Sequence, residues 1–413
     1  LPSDMIAMNR PRVKAIVMDA GGKTSHTAIL ARAFEIPAVL GLGGAGRTIK
    51  NGATLVVDGN TGDVRVEPDS QTLDRYERVR ARMAERDEGL SSIAALPART
   101  LDGKDVLIKA NIEVPEETAS VLRHGAAGIG LFRSEFLFLQ PGRAPSEEAQ
   151  YIAYRRVIES MGGLPVTIRT LDVGGDKVVP DLALEEEKNP LLGWRAIRYC
   201  LSDSEVFQNQ LRAILRASVH GDARIMFPMI SGPVELDLAI AALEEAKAEC
   251  TRRGQEFRRD LPVGIMIEVP SAAMIADILA TKVDFFSIGT NDLIQYTIAV
   301  DRGNEKVAYL HEPFHPAVLR LVKKVIEEGH AAGIPVSMCG EMASDPFAAV
   351  VLLGLGLDEF SMSAVSVPDV KRTIRSVNLE EARQVAAEAL AMRSHQDIEA
   401  FLALRLADRV SRD

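Results

Sequence analysis

The sequence lacks several features that define whole classes of protein. It has only three cysteines, Cys200, Cys250 and Cys339, in 413 residues, too few and too scattered for a disulfide framework or a zinc cluster. A reducing, cytoplasmic location is therefore expected. Runs of apolar residues and glycine, such as 347–357, are far shorter than the roughly 20 residues that span a bilayer. No secretory signal peptide is recognisable, and the chain begins at Leu1 rather than at a methionine.

The sequence also lacks an excess of positive charge. Lys and Arg total 48 against 58 Asp and Glu, so the formal net charge is −10. We therefore expect neither nucleic acid nor a membrane surface as a partner. An anionic ligand would need basic residues gathered in one pocket. The 47% hydrophobic and 26% charged residues are otherwise those of an ordinary globular protein.

Residues 1–68 are predicted to form a small α/β unit. The apolar residues 13–19 predict a short strand, and a helical pattern follows over 25–35 after a pair of glycines. Two further strands are predicted over 53–58 and 63–66, joined by a turn rich in glycine.

Residues 69–98 are predicted to be a helical linker, because apolar residues recur every three or four positions amid dense charge. The remainder, 99–413, alternates short β-rich apolar runs with helical stretches. Eight such runs predict a (β/α)₈ TIM barrel, which usually has about 250 residues. An open, doubly wound sheet is the alternative. The runs lie at 106–112, 128–132, 165–171, 223–229, 263–269, 284–289, 335–339 and 359–364.

Arginines follow several of these runs. In a parallel barrel the active site lies at the carboxyl ends of the strands. Arg133 and Arg169 stand at two such ends, and Arg302 lies in the loop after a third. The planar guanidinium group binds phosphate or carboxylate through two hydrogen bonds, so the three arginines indicate an anion-binding site. For each arginine taken alone, a structural ion pair is the alternative.

Two carboxylates and a thiol stand at other strand ends. Glu268 and Asp292 end neighbouring runs, and Mg²⁺ typically takes one or two protein carboxylates and completes its shell with water and substrate oxygens. A solvated pair without a metal is the alternative. Cys339 is placed to donate or accept a proton, although lone cysteines are most often small buried hydrophobes.

His26 follows the glycine pair and stands at the start of a predicted helix. The positive end of a helix disfavours the imidazolium form, so the ring stays neutral and nucleophilic. The same helix end would stabilise a phosphate group carried on that ring. A polar residue that only fills the helix N-terminus is the alternative.

At these residues the sequence resembles the enzyme I family of bacterial phosphoenolpyruvate-dependent sugar phosphotransferase systems, which are PEP-utilising enzymes. The similarity extends over essentially the whole chain in order. The motifs that carry it are GGKTSHTAILAR with IPAVLG, GIGLFRSEFLF, RTLDVGGDK, NPLLGWRAIR, GIMIEVPSAA, SIGTNDLIQYTIAVDRGN, HPAVLRL and SMCGEMASDP.

The resemblance implies a reaction. A swivelling phosphohistidine domain, partial here, carries His26, which takes the phosphoryl group of phosphoenolpyruvate and releases pyruvate. A histidine phosphocarrier protein accepts the group for sugar uptake, and the barrel forms a homodimer. Cys339 is implied to protonate the enolate, and Glu268 and Asp292 to bind Mg²⁺. The implied phosphoenolpyruvate-binding residues are Arg133, Arg169, Asn291, Asp292 and Arg302, with Arg195 as a further contact.

The chain departs from the family before His26, where there is no room for the helical subdomain that docks the phosphocarrier. The first strands of the phosphohistidine domain are also missing, so we expect a truncated chain or one whose acceptor binds elsewhere. Two other interpretations stay open. One is a fragment of a pyruvate phosphate dikinase or PEP synthase-like enzyme, although the sequence has no P-loop. The other is a regulatory, nitrogen-type phosphorelay paralogue.

Overall fold

The structure is a computed structural model that describes residues 13–21, 26–138, 144–174 and 187–410. Its internal contacts divide the chain into two compact units, Leu1–Ser92 and Ile93–Asp413. The predicted domain boundaries after residues 68 and 98 stay predictions. None of the helices in the described part of the chain combines the length and the apolar character needed to cross a membrane.

The strands of the first unit pair locally. β1 (Ile16–Val17) and β2 (Ala38–Val39) are parallel, and β3 (Leu55–Asp58) and β4 (Asp63–Val66) form an antiparallel hairpin. The predicted hairpin is therefore confirmed. β1 lies within the strand predicted over 13–19 but is shorter.

One of the two short helices of the first unit was predicted from the sequence. α1 (His26–Ala33) buries Leu30 and lies inside the helix predicted over 25–35. α2 (Ala45–Thr48) is a single turn, and the Asp19 carboxylate accepts hydrogen bonds from two backbone N–H groups at its N-terminus. Asp19 thereby fixes the loop after β1 to this turn.

The long helix α3 (Ser70–Ala94) confirms that the segment predicted as a linker is helical, and its role as a linker stays a prediction. Val79 and Met83 remain exposed along it, whereas Leu90 near its end is buried. The dense charge of this segment is consistent with a helix that faces solvent over most of its length.

Eight parallel strands of the second unit close into a barrel, within the described residues, and this confirms the predicted fold class. Each strand overlaps one of the eight predicted apolar runs. The alternative of an open sheet is excluded, because the last strand pairs with the first. The strands are β5 (Leu107–Ile112), β6 (Ile129–Arg133), β7 (Val166–Arg169), β8 (Ala223–Phe227), β9 (Val263–Ile267), β10 (Phe285–Ile288), β11 (Val336–Met338) and β12 (Glu359–Ser363).

Helices lie between successive strands and after the last one, and they pack their apolar residues on the barrel. The described helices are α4 (Thr118–Arg123), α5 (Glu147–Ser160), α6 (Ile197–Ser202), α7 (Ser204–Ala217), α8 (Pro233–Arg252), α9 (Pro270–Met274), α10 (Ala276–Ala280), α11 (Thr290–Ile298), α12 (Pro316–Ala331), α13 (Pro346–Leu355), α14 (Val367–Arg375), α15 (Leu379–Ala391) and α16 (His395–Arg405).

Side chains alternate between the two faces of the strands. On β5, Ile108, Ala110 and Ile112 belong to the core shared with the helices. A separate small cluster joins residues from different strands and therefore fills the inside of the barrel. Its members are Leu131, Met226, Met266, Phe285 and Cys339.

Polar contacts join the first and last barrel strands. Lys109 on β5 lies 2.5 Å from a carboxylate oxygen of Glu359 on β12 and is almost fully buried. Burial lowers the pKa of Lys109, and the charge of Glu359 opposes that effect. Ser361 on β12 donates to Asn111 on β5 at 2.6 Å. The closure of the barrel therefore includes side-chain bonds as well as the backbone ladder.

Gly354 in α13 provides a test of how tightly the outer helices pack. A Cβ at this position would lie 2.0 Å from the carbonyl oxygen of Ala382 in α15. We expect Gly354→Ala to lower the free energy of unfolding by about 1–3 kcal/mol or more, because the helices would have to separate. Urea unfolding followed by the emission of Trp194, the single tryptophan, reports on this unit.

Gly232→Ala is the matched control, because no described atom lies within 4 Å of the Cβ it would gain. Its unfolding free energy should change by less than about 1 kcal/mol, the cost of altering a helix N-cap. Equal urea midpoints for the two variants would contradict the close packing of α13 on α15.

Candidate active site

Four of the predicted site residues lie where the barrel strands end. Arg133 and Arg169 are the last residues of the neighbouring strands β6 and β7, and they pair in register. Glu268 directly follows β9, and Cys339 directly follows β11. All four therefore lie at the carboxyl end of the barrel.

The segment that follows β10 adds three more. Asn291 and Asp292 lie in the first turn of α11. Arg302 lies in the loop after α11, and its backbone N–H donates to Gln295 Oε1 at 3.1 Å. α11 thus supplies two predicted site residues and fixes the backbone of a third.

A buried carboxylate, Asp172, joins two of the predicted substrate-binding arginines. Its Oδ2 lies 3.1 Å from Arg169 Nη1, and its Oδ1 lies 2.9 Å from Arg195 Nη2. Arg169 Nη2 also contacts Glu135 Oε1 at 2.5 Å, and Arg195 Nη2 lies 3.4 Å from Asp292 Oδ2. The Asp172 side chain is 0% exposed, so these ion pairs are poorly screened by water.

Both guanidinium groups stay charged in this environment. Burial alone would lower the pKa of each guanidinium group, but nearby carboxylates raise it above the ordinary value. For Arg169 these are chiefly Glu135 and Asp172. For Arg195 they are chiefly Asp172 and Asp292. Both arginines therefore form the structural ion pairs that were the alternative to an anion-binding site. These ion pairs leave one N–H donor of each arginine unused, because Nε of Arg169 and Nε of Arg195 are buried without a hydrogen-bond partner among the described residues.

Arg133 is more exposed than the other two arginines. Its Nη1 lies 2.6 Å from Glu113 Oε1, in the turn after β5. Glu117 holds this turn, because its carboxylate accepts the backbone N–H groups of Glu113 and Val114 at 2.6 and 2.9 Å. Burial raises the pKa of Glu117 to about 7.

Glu268 is a fully buried carboxyl group beside other carboxylates. Its Oε1 accepts the backbone N–H of Met229 at 2.6 Å. Burial raises the pKa of Glu268 to about 8, and the charges of Asp292 and Asp172 add to the rise. A cation bound at this position would favour the ionised form.

The residues present fit a divalent cation. Asp292 Oδ1 is buried and has no hydrogen-bond partner in the part of the chain that the structure describes. No group of three or more His, Cys, Asp or Glu side chains suited to a metal occurs among the described residues. Two carboxylates, Glu268 and Asp292, are nevertheless the number that Mg²⁺ commonly takes when substrate oxygens complete its shell.

The carboxamide of Asn291 is held by one neighbour through two hydrogen bonds. Its Nδ2 donates to Glu341 Oε1 at 3.1 Å, and its Oδ1 accepts the backbone N–H of Glu341 at 2.9 Å. The orientation of the amide is therefore fixed across the ends of β10 and β11.

Cys339 lies at the top of the cluster inside the barrel and is 4% exposed. Its Sγ lies 3.8 Å from the carbonyl oxygen of Ile288. Burial raises the pKa of the thiol, although the charge of Arg169 acts in the opposite direction. The thiol is therefore protonated at neutral pH, which suits a small buried hydrophobe and a proton donor alike.

His26 begins α1 in the first unit. Its side chain lies outside the described part of the structure, so its assigned role stays a prediction.

Sequence reasoning gave no role to several residues that hold the site together. Asp172 and Glu135 each follow a strand end that carries a predicted site residue, and that position was the available signal. Tyr296 accepts a hydrogen bond from Arg195 Nη1 at 3.1 Å. It lies within the motif SIGTNDLIQYTIAVDRGN, but sequence reasoning gave it no role.

Comparison with known proteins agrees with the order of the two units. A family model described as the PEP-binding domain of PEP-utilising enzymes matches residues 87–379. A second model, the mobile domain of PEP-utilising enzymes, matches residues 1–62. The matches follow one another in the order of the two units.

Several curated relatives are similar over nearly the whole chain, and each is named phosphoenolpyruvate-protein phosphotransferase. The protein of Staphylococcus carnosus (strain TM300) is 48% identical over 397 residues, which are 96% of this chain and 69% of that one. The Bacillus subtilis (strain 168) protein is 48% identical over 97% of this chain and 70% of its own. The Haemophilus influenzae protein is 46% identical, again over 97% and 70%.

Among solved structures, a citrate lyase from Burkholderia xenovorans LB400 aligns with a TM-score of 0.44 at 14% identity, covering 76% of this chain and 95% of that one. We draw nothing from so distant a likeness. The family models and the curated relatives carry the assignment: this chain belongs to the phosphoenolpyruvate-protein phosphotransferases, within the PEP-utilising enzymes.

Proposed function

We propose that this protein transfers the phosphoryl group of phosphoenolpyruvate to its own His26 and releases pyruvate. A histidine phosphocarrier protein of a sugar phosphotransferase system then accepts the group. The observation that carries the proposal is the pair of buried arginines, Arg169 and Arg195, held by Asp172 beside Glu268 and Asp292.

Binding of the substrate uses the fixed positive charges. Phosphoenolpyruvate carries a phosphate and a carboxylate, and both groups suit guanidinium donors. Arg133, Arg169, Arg195 and Arg302 are the proposed contacts. Because carboxylates already orient the buried arginines, these side chains lose little conformational entropy when the substrate binds.

Asn291 and the two carboxylates complete the proposed site. Glu268 and Asp292 are the residues that would hold Mg²⁺, and Asn291 is a further substrate contact. When bound, the ion neutralises phosphate charge and orients the group for transfer. The side chain of Asn291 needs no rearrangement, since Glu341 already fixes it.

The transfer itself is a displacement at phosphorus. A ring nitrogen of His26 forms a bond to phosphorus as the bond from phosphorus to the enol oxygen breaks, and that electron pair leaves with the enolate. The Cys339 thiol then gives its proton to the methylene carbon, which yields pyruvate, and the thiolate regains a proton from water. Arginine charges and positioning supply most of the catalysis in such reactions.

The partners follow from the same proposal. His26 belongs to the first unit and the substrate-binding residues to the second, so the proposed cycle requires His26 to reach the barrel mouth and then the phosphocarrier. We also propose that two copies associate through the barrel unit. The three cysteines are buried free thiols, which supports the cytoplasm as the place of action.

The proposed nucleophile is tested by His26→Ala. We expect this variant to incorporate no labelled phosphate from phosphoenolpyruvate, because no other group would accept it. Binding of phosphoenolpyruvate, measured by calorimetry with Mg²⁺, should stay within about twofold, since the proposed binding residues lie in the other unit.

His395→Ala is the control, because this histidine lies in α16 of the barrel unit, beside Glu312. It should be labelled like the parent. Acid-labile phosphate on His26→Ala would exclude this nucleophile. Labelling of the parent by ATP but not by phosphoenolpyruvate would favour a dikinase-like enzyme instead.

The proposed metal ligands are tested by Glu268→Gln and Asp292→Asn. Each variant keeps the size of the side chain but removes one of the few carboxylates available to Mg²⁺. We expect the rate of phosphate incorporation to fall by about 10²-fold or more, because a bound metal ion supplies several kcal/mol of charge stabilisation in the transition state. The exposed Glu380, changed to Gln, should leave the rate unchanged. Full activity of the parent in excess chelator would refute the metal site.

The proposed proton donor is tested by Cys339→Ser. A hydroxyl has nearly the shape of a thiol but is a far weaker acid. Pyruvate formation should slow by about 10²–10⁴-fold, the usual contribution of general acid catalysis, while phosphate still reaches His26. Rapid quench separates the two products, and Cys250→Ala in α8 is the control. Parent-like turnover in Cys339→Ser, with deuterium delivered to one face only, would assign the proton to another group.

A further inference from the structure

The hydroxyl group of Tyr296 links helix α11 to the segment that carries Arg195. Tyr296 lies on α11, the helix whose first turn carries Asn291 and Asp292. Its OH accepts a hydrogen bond from Arg195 Nη1 at 3.1 Å and donates one to the carbonyl oxygen of Leu191. The phenol therefore uses its donor and an acceptor site in one chain of bonds.

The first of these bonds completes the restraint of Arg195. Asp172 and Asp292 hold Nη2 of this guanidinium group, and Tyr296 holds Nη1. Contacts at two nitrogens fix the plane of the group as well as its position. The direction of the remaining Nε–H is then set, and that nitrogen is buried with no hydrogen-bond partner among the described residues.

The second bond, to Leu191, restrains the loop segment before Arg195. Leu191 lies in a short 3₁₀ turn, Pro190–Leu192, a few residues before the arginine. Ala196, directly after Arg195, has a φ of 52°, a left-handed conformation that is strained for a residue other than glycine. Such a backbone persists only when its surroundings hold it. The N–H of Ala196 donates to the carbonyl oxygen of Val173, and the bond from Tyr296 restrains the preceding turn at Leu191.

We propose that Tyr296 is a positioning residue for phosphoenolpyruvate. It holds Arg195 and its connecting segment in the arrangement that binds the anionic substrate, and it couples this arrangement to Asn291 and Asp292 through α11. The proposal rests on the proposed function, since it concerns the same substrate. Tyr296 itself contacts the arginine and does not take part in the transfer.

The variant Tyr296→Phe removes only the hydroxyl group. A hydrogen bond to a charged group changes an equilibrium by about 10-fold or more. We therefore expect the phosphoenolpyruvate concentration at half-maximal labelling of His26 to rise by about 10-fold. The maximal labelling rate should fall by less than about threefold, because no group that reacts is lost. Single-turnover labelling over a range of substrate concentrations separates the two quantities.

Tyr199→Phe is the matched control. Tyr199 donates its hydroxyl to Asp203 at 2.9 Å, and its ring lies 5.2 Å from that of Trp194, next to Arg195 in the chain. The control thus removes a phenol hydroxyl from the same region without touching the bonds of Arg195. Its half-saturating concentration should equal that of the parent.

Trp194 gives a second, independent readout. It is the single tryptophan and belongs to the segment that Tyr296 fastens. In Tyr296→Phe, acrylamide should quench its emission about twofold more strongly than in the parent, while the thermal unfolding midpoint stays within a few degrees. In the presence of phosphoenolpyruvate and Mg²⁺ the difference should shrink, because the substrate then orders Arg195.

The outcomes separate this proposal from the proposed function. If the parent is labelled by phosphoenolpyruvate and Tyr296→Phe has the same half-saturating concentration, Tyr296 is not a positioning residue although the function stands. An equal rise in Tyr199→Phe would also overturn the proposal, since it would show a general effect on this region. A parent that neither binds phosphoenolpyruvate nor is labelled by it would overturn both.

Discussion

The candidate site depends on one buried carboxylate. Asp172 has no exposed surface and pairs with both Arg169 and Arg195. An unpaired guanidinium group in the protein interior costs several kcal/mol, so neither arginine could stay there without a partner. Because one carboxylate serves both, the two arginines are also fixed relative to each other. The rest of the site is arranged around this pair.

The buried carboxylates of the site outnumber its two buried arginines. The carboxylates belong to Glu135, Asp172, Asp292 and Glu268. Burial and the crowding of these groups raise the pKa of Glu268. A divalent cation would relieve the repulsion among the carboxylates, and an anionic substrate would use the donors that the arginines have left. A metal and a phosphate-bearing ligand would therefore stabilise each other's binding in this site.

Much of the fold can be predicted from local patterns. The eight apolar runs each become a barrel strand, and the turn between β3 and β4 falls where glycine and asparagine indicate it. The rule that parallel barrels act at their strand ends also directs attention to Arg133, Arg169 and Glu268, because each lies at or next to the last residue of a strand. Strand β1 is shorter than its apolar pattern, since within the described part of the chain only Ile16 and Val17 pair with another strand.

The sequence by itself determined which residue types stand at the mouth of the barrel, because strand ends are set by local hydrophobicity and turns. Only the tertiary structure decided how they are joined. Arg195 lies in no strand, and its partners Asp172 and Tyr296 are 23 and 101 residues away in the chain. Lys109 and Glu359, separated by 250 residues, meet because the barrel closes. Such contacts depend on how the strands and helices are brought together in space, and the spacing of residues in the sequence does not show which distant residues will meet.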